Sequence, residues 1–105
     1  YPDGFRQSVA IELALYSAWQ RRDLAAAQAW MARAKGGVVD AARRALAEAA
    51  VATLDADVPR ARNALATARR MLGRGMDPGL AKLTAEQIGA LQAEIETAAP
   101  SLQAA

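Results

Sequence analysis

Two short turns constrain this chain more than any other feature of it. "RRD" (Arg21 to Asp23) and "DAD" (Asp55 to Asp57) place an Asp at positions 34 residues apart, and in that register Ala27 falls over Ala61, Met31 over Leu65 and Ala34 over Ala68. An Asp just ahead of an apolar-periodic run caps a helix by accepting from its first unpaired N–H groups. Cations ahead of that Asp, as at Arg21 and Arg22, suit the end of the preceding helix. Each turn therefore reads as the bend of a helical hairpin. A small residue four positions beyond the Asp lets the two helices of the hairpin approach closely, and the larger residue one turn on fills the space beside a neighbouring hairpin. The chain has the material for this: 29 of its 105 residues are alanine, against two Trp, two Tyr and one Phe. Its core must come from close helix approach rather than from large side chains, and the expected fold is all-α.

The rest of the chain fits around the two turns. The spacing predicts a first helix over 5–21, with Phe5, Val9, Leu13 and Tyr16 on one face and Ile11, Leu15 and Trp19 beside it, a wide apolar stripe that should be substantially buried. Pro2, Asp3 and Gly4 precede it as breakers, Asp3 being placed to cap it. A second helix runs from Leu24 to Lys35 and is stopped by Gly36 and Gly37, since glycine accepts the left-handed cap conformation. A third runs from Val38 to Leu54. A fourth begins near Pro59, where a missing N–H costs nothing, and continues to Leu72. "GRGMDPG" (Gly73 to Gly79) is an irregular loop without the strand or the Lys-Ser/Thr ending of a phosphate loop. Thr84 followed by Gln87 has capping-box spacing and starts a terminal helix over 84–97, with Ile88, Leu91 and Ile95 as its apolar face. Pro100 ends it, and 99–105 should be a frayed tail. Residues 1–98 thus form one domain of two antiparallel hairpins, 5–35 and 38–72, and a helix that covers the second.

The 34-residue period, with Ala, large apolar and Ala at fixed offsets after each turn Asp, resembles the second helix of tetratricopeptide repeats over about residues 8–75. Leu15 and Ala49 stand where that family has a glycine, and "GG" stands where it has a boundary proline. The resemblance implies a binding domain in which the first helix of each hairpin lines a concave groove. Carried over, those positions are Val9, Glu12, Tyr16, Trp19 and Gln20 in one hairpin and Arg43, Leu46, Ala50, Thr53 and Leu54 in the other. The stretch "ALYSAWQRRDLAAAQAWMARA" with the Ala-Arg hairpin after it is also similar to the soluble tails of bacterial site-2-protease-like membrane zinc metallopeptidases. That likeness implies a non-catalytic piece at the cytoplasmic face of a membrane.

Several function classes are excluded by what the chain lacks. It has no His and no Cys, so a structural zinc site, a thiol nucleophile, a disulfide framework and a Ser-His-Asp triad have no residues to be built from. Glu94 and Glu96, two apart on one helix, point in different directions and cannot act as a catalytic pair. No cofactor or metal is implied, and no enzymatic role. A net charge of +2 gives little steering toward nucleic acid. The longest apolar run, Val9 to Trp19, carries Glu12 and is too short to span a bilayer. With no signal peptide and a Tyr-Pro-Asp start, the chain reads as a domain of a larger, cytoplasmic protein, and eleven Arg against two Lys, with the alanine, suggest a GC-rich bacterial coding background.

The expected function is non-enzymatic binding of a peptide, a partner protein or the parent chain. Glu12, Tyr16, Trp19, Gln20 and Arg43 are the candidate contacts: Tyr16 and Trp19 as apolar anchors, Glu12 and Arg43 as complementary charges. The competing expectation for the aromatics is packing inside a core short of large side chains, and Trp30 is assigned to core or back-face packing. Two other readings stay open. Arg62, Arg69 and Arg70 make the fourth helix basic and would meet an anionic membrane surface, or remain a solvated face. The apolar stripe of the first helix would alternatively pair with its twin in a homodimer.

Overall fold

In the computed structural model, residues 3–34, 41–73 and 75–104 are described, with side chains over 5–34, 41–73 and 75–98. The chain forms α1 (Asp3–Trp19), α2 (Leu24–Arg33), α3 (Ala41–Leu54), α4 (Val58–Met71) and α5 (Pro78–Ala104), with no strand among the described residues. The all-α expectation holds. α1 pairs with α2 and α3 with α4, α3 packs against each of the other four helices, and α5 lies on α3 and α4.

The two hairpin bends are built alike. Arg22 (φ 54°) and Ala56 (φ 60°) both take the left-handed conformation, which reverses the chain between one helix and the next. The N–H after each turns back to a carbonyl of the preceding helix, Asp23 to Ser17 and Asp57 to Ala52, both at 2.9 Å. Each Asp then caps the following helix, Asp23 accepting from the Ala26 N–H at 3.0 Å and Asp57 from the Arg60 N–H at 3.2 Å. Pro59 sits in the first turn of α4. Ala27 and Ala61, four residues beyond the capping Asp, are fully buried, as are Ala34 and Ala68. Leu65 is buried and Met31 packs partly buried against the core.

α1 departs from expectation. Part of the stripe expected to be buried faces outward, Phe5 being 52% exposed, Val9 39% and Tyr16 53%, while Ile11 and Leu15 beside it are buried as expected and Leu13 and Trp19 are half-buried. What packs inward is the small stripe Ala10, Ala14 and Ala18 with Ile11, Leu15 and Ser17 between. The physical reason is the composition of the facing helices, whose own buried positions are mostly alanine. Two alanine surfaces pack closely, with dispersion contacts along their whole length, whereas a Phe or Tyr at the interface would hold the helices apart.

α5 also differs from its expected bounds. It begins six residues before Thr84, where Asp77 accepts from the N–H groups of Gly79 (3.0 Å) and Leu80 (3.2 Å). Thr84 and Gln87 are therefore interior residues and not a capping box. The Thr84 hydroxyl donates to the Leu80 carbonyl at 2.8 Å, which satisfies it inside the helix. The loop before α5 is correspondingly shorter, with Gly73 (φ 84°) and Gly75 (φ 68°) supplying its left-handed turns. The helix passes Pro100 and runs to Ala104, where a stop and a frayed tail were expected. Ile88, Leu91 and Ile95 are its buried face, as expected. The expected glycine stop at Gly36 and Gly37 and the start of α3 at Val38 lie outside the described residues.

Candidate functional site

The five candidate residues divide into a locked set and an open set. Arg43 leads the first. Its position on α3 aims it at the seam where α1, α3 and α5 meet, and it is 2% exposed. There it makes a bidentate pair with Glu12 of α1, Nε donating to Oε2 at 2.8 Å and Nη2 to Oε1 at 2.5 Å. Nη1 donates to Thr84 Oγ1 at 3.0 Å and to Gln87 Oε1 on α5. A buried guanidinium is tolerated only when its donors are met and its charge is paired. Both conditions hold, and no buried side-chain polar atom among the described residues lacks a partner. Glu12 and Arg43 thus complement each other and tie three helices together, where the sequence suggested charges turned toward a ligand.

Trp19 is tied in as well. Its indole Nε1 donates to Glu94 Oε2 on α5 at 3.0 Å, and Arg22 Nη1 bonds the other oxygen, Oε1, at 2.7 Å. Trp19 packs partly buried against the core. Of the positions assigned to the second half of the groove, Leu46 and Ala50 are buried, and Thr53 and Leu54 are half-buried, Thr53 donating to the Ala49 carbonyl of its own helix at 2.7 Å. α3 packs against α1, α2, α4 and α5 alike, which leaves it no open concave face. Thr84, Gln87 and Glu94 are the residues that sequence reading missed here, because contacts spanning 41 to 75 positions leave no local signal.

The open set is Tyr16 and Gln20, both exposed. They rim a recess of about 150 Å³ floored by Leu15, Trp19, Arg43 and Gln87, with Glu12 at its edge. All five candidates therefore border one place, although two of them offer themselves to solvent and three are held in internal bonds. Tyr16 continues the outward stripe of Phe5 and Val9 on α1, one helical face about 16 Å long from residue 5 to residue 16.

The basic helix α4 is partly neutralised. Arg62 Nε and Nη2 donate to the two carboxylate oxygens of Glu96 on α5 at 3.0 and 3.1 Å. This exposed bond with its opposite charge holds the Glu96 carboxyl below the usual value and raises the Arg62 guanidinium. Arg70 donates to Thr67 Oγ1 at 3.1 Å, and Arg69 lines a shallow recess with Arg62. Trp30 is half-buried, packed against the core on one side and covered by the Arg33 guanidinium, 4.9 Å from its ring centre, on the other.

No group of acidic side chains among the described residues is arranged to hold a metal ion. No helix among the described residues is long and apolar enough to cross a membrane. No family model matches the chain, and neither a curated protein nor a solved structure matches it.

Proposed function

We propose that the chain is a non-enzymatic protein-interaction domain, TPR-like in organisation, that docks a partner along the outer face of α1. The observation that carries this is the outward stripe Phe5, Val9 and Tyr16 ending at the Tyr16–Gln20 recess. Bulky apolar side chains on water while alanines fill the adjoining interface make a surface with apolar area to bury on a partner. The internal bonds of Glu12, Trp19 and Arg43 narrow the reading given by sequence: they hold the platform rigid, and Tyr16 and Gln20 make the contacts. The shared construction of the two bends, 34 residues apart, supports the TPR-like part.

A photoreactive phenylalanine analogue at position 16 tests the reading in the cells that make the protein, with the same analogue at exposed Ala66 on α4 as control. The expected result is one discrete crosslinked partner from position 16, absent from position 66 and abolished by Val9→Glu. Equal or no crosslinking from the two positions would overturn it. A crosslink to a second copy of the chain would replace it with the homodimer reading.

A further inference from the structure

The open end of the first hairpin carries a second and larger recess. Phe5, Arg6, Val9 and Ala10 of α1 with Trp30 and Arg33 of α2 line a volume of about 390 Å³. That is near the lower end of the range for small-molecule pockets, and it holds a few apolar side chains. The walls are apolar and the rim is cationic. Arg33 is fixed at the rim by stacking on Trp30, a contact that keeps the guanidinium over the ring and its N–H edges available. No carboxylate among the described side chains lines the recess. Arg43, Arg22 and Arg62 each hold a glutamate, whereas neither Arg6 nor Arg33 has an acidic partner among the described residues.

We infer that this recess receives an acidic amphipathic helix of a partner protein, whose apolar side chains enter between Val9 and Trp30 while flanking carboxylates meet Arg6 and Arg33. The inference rests on the proposed interaction role of α1 and names the chemistry of the partner. Charge complementarity selects the acidic flank, since two guanidinium groups at the rim of an apolar recess favour carboxylates and repel cations. Continuity selects the helix. The recess shares Phe5 and Val9 with the outward stripe that ends at Tyr16, so a partner helix can lay one apolar face along both while its polar face stays in water. A lone acyl chain in so open a site would remain largely hydrated and has no use for the stripe beyond.

The experiment uses the 105-residue chain, labelled with 15N, and three synthetic helical peptides with the same leucine spacing. They differ only in carrying Glu, Gln or Lys beside the leucines. The expected result is amide shifts concentrated at residues 5–10 and 30–33. The Glu peptide should bind at least about fivefold more tightly than the Gln peptide, two exposed ion pairs being sufficient for that, and the Lys peptide most weakly. The double variant Arg6→Glu with Arg33→Glu should reverse the order of Glu and Lys. Both arginines are exposed, so the variant's own spectrum reports that the fold is kept. Val9→Ser, which retains both cations, should weaken all three peptides alike. Equal binding of the Glu and Gln peptides, or shifts centred on Tyr16 and Gln20 alone, would overturn the proposal, as would an unmoved recess at millimolar peptide. If the recess stays silent while position 16 still crosslinks a partner, the recess inference fails alone and the interaction reading stands.

Discussion

Removing the exposed member of the Glu12–Arg43 pair should destabilise the protein more than removing the buried one. The Arg43 side chain is 3% exposed and that of Glu12 is 49% exposed. In Glu12→Ala the guanidinium stays in the seam with its counter-charge gone and its Nε and Nη2 donors unmet, leaving Thr84 and Gln87 as neutral acceptors. A buried pair broken in this way typically costs about 3–5 kcal/mol. The low end applies here because the vacated Glu12 position admits water to that edge, giving about 3 kcal/mol and a fall in Tm of roughly 12–24 °C. In Arg43→Met the packing is largely kept, Glu12 hydrates, and Thr84 keeps its bond to Leu80. What is lost is a set of hydrogen bonds, offset by the relieved desolvation of a cation, for a net cost of about 1–2 kcal/mol. The double variant should sit close to Arg43→Met, so the cycle shows a coupling close to the whole Glu12→Ala cost, about 3 kcal/mol. Urea titration followed by circular dichroism reads all three as shifts in midpoint at constant slope. If Arg43→Met proves the more damaging single change, the burial argument is wrong and the guanidinium acts as a net anchor for α5.

Three further outcomes follow from the packing and the charges. Ala61→Leu should lose about 1–3 kcal/mol in the same assay, because an added isobutyl group at a fully buried contact forces the helices apart. Ala56→Gly should gain about 0.5–1 kcal/mol, since Ala56 has φ 60° and glycine takes that conformation without its Cβ penalty. Glu96 should titrate lower than in the Arg62→Met variant by carboxyl NMR, the cause being its bond to Arg62. With the folded value depressed, the pair's contribution is present at neutral pH and is lost progressively as pH falls below the unfolded value of 4.5. In 1 M salt the difference between wild type and variant should shrink, because the pair is exposed.

Residue pairs within one turn or one helix were legible in the sequence; pairs between distant helices were not. Asp23 and Asp57 announce their caps because the acceptor and the N–H are three residues apart. Ala27, Ala61 and the face Ile88, Leu91 and Ile95 follow from helical periodicity. Ile11 and Leu15 of α1 pack inward as the periodicity implied, but Phe5, Val9 and Tyr16 were misread, because hydrophobicity ranks Phe5 and Tyr16 above Ala10 and Ala14 as core residues while the shape of the partner surface decides which face packs. Thr84 and Gln87 fitted a capping box by spacing alone, and Asp77 beside Pro78 caps the helix earlier. Of the candidate site, the neighbourhood of Glu12, Tyr16, Trp19, Gln20 and Arg43 was readable from the hairpin register. That Arg43 and Trp19 would be engaged by α5 was not, since nothing near either residue in the chain records where a helix some 40 or more positions later comes to rest.

The alanine interior has a consequence for how the molecule responds to load. An alanine side chain has no rotamers to lose, so burying it carries no side-chain entropy cost, unlike leucine or methionine. By the same token it has no alternative rotamer to adopt when a neighbour moves. A leucine core absorbs a perturbation by local rearrangement of side chains; at Ala14, Ala18, Ala47 and Ala49 no such rearrangement exists, and it is left to Ile11, Leu15, Leu46 and Val51 of the same core. A load on α1 is therefore met at those positions by small movements of the helices themselves, and the Arg43 bonds couple α3 to α1 and to α5.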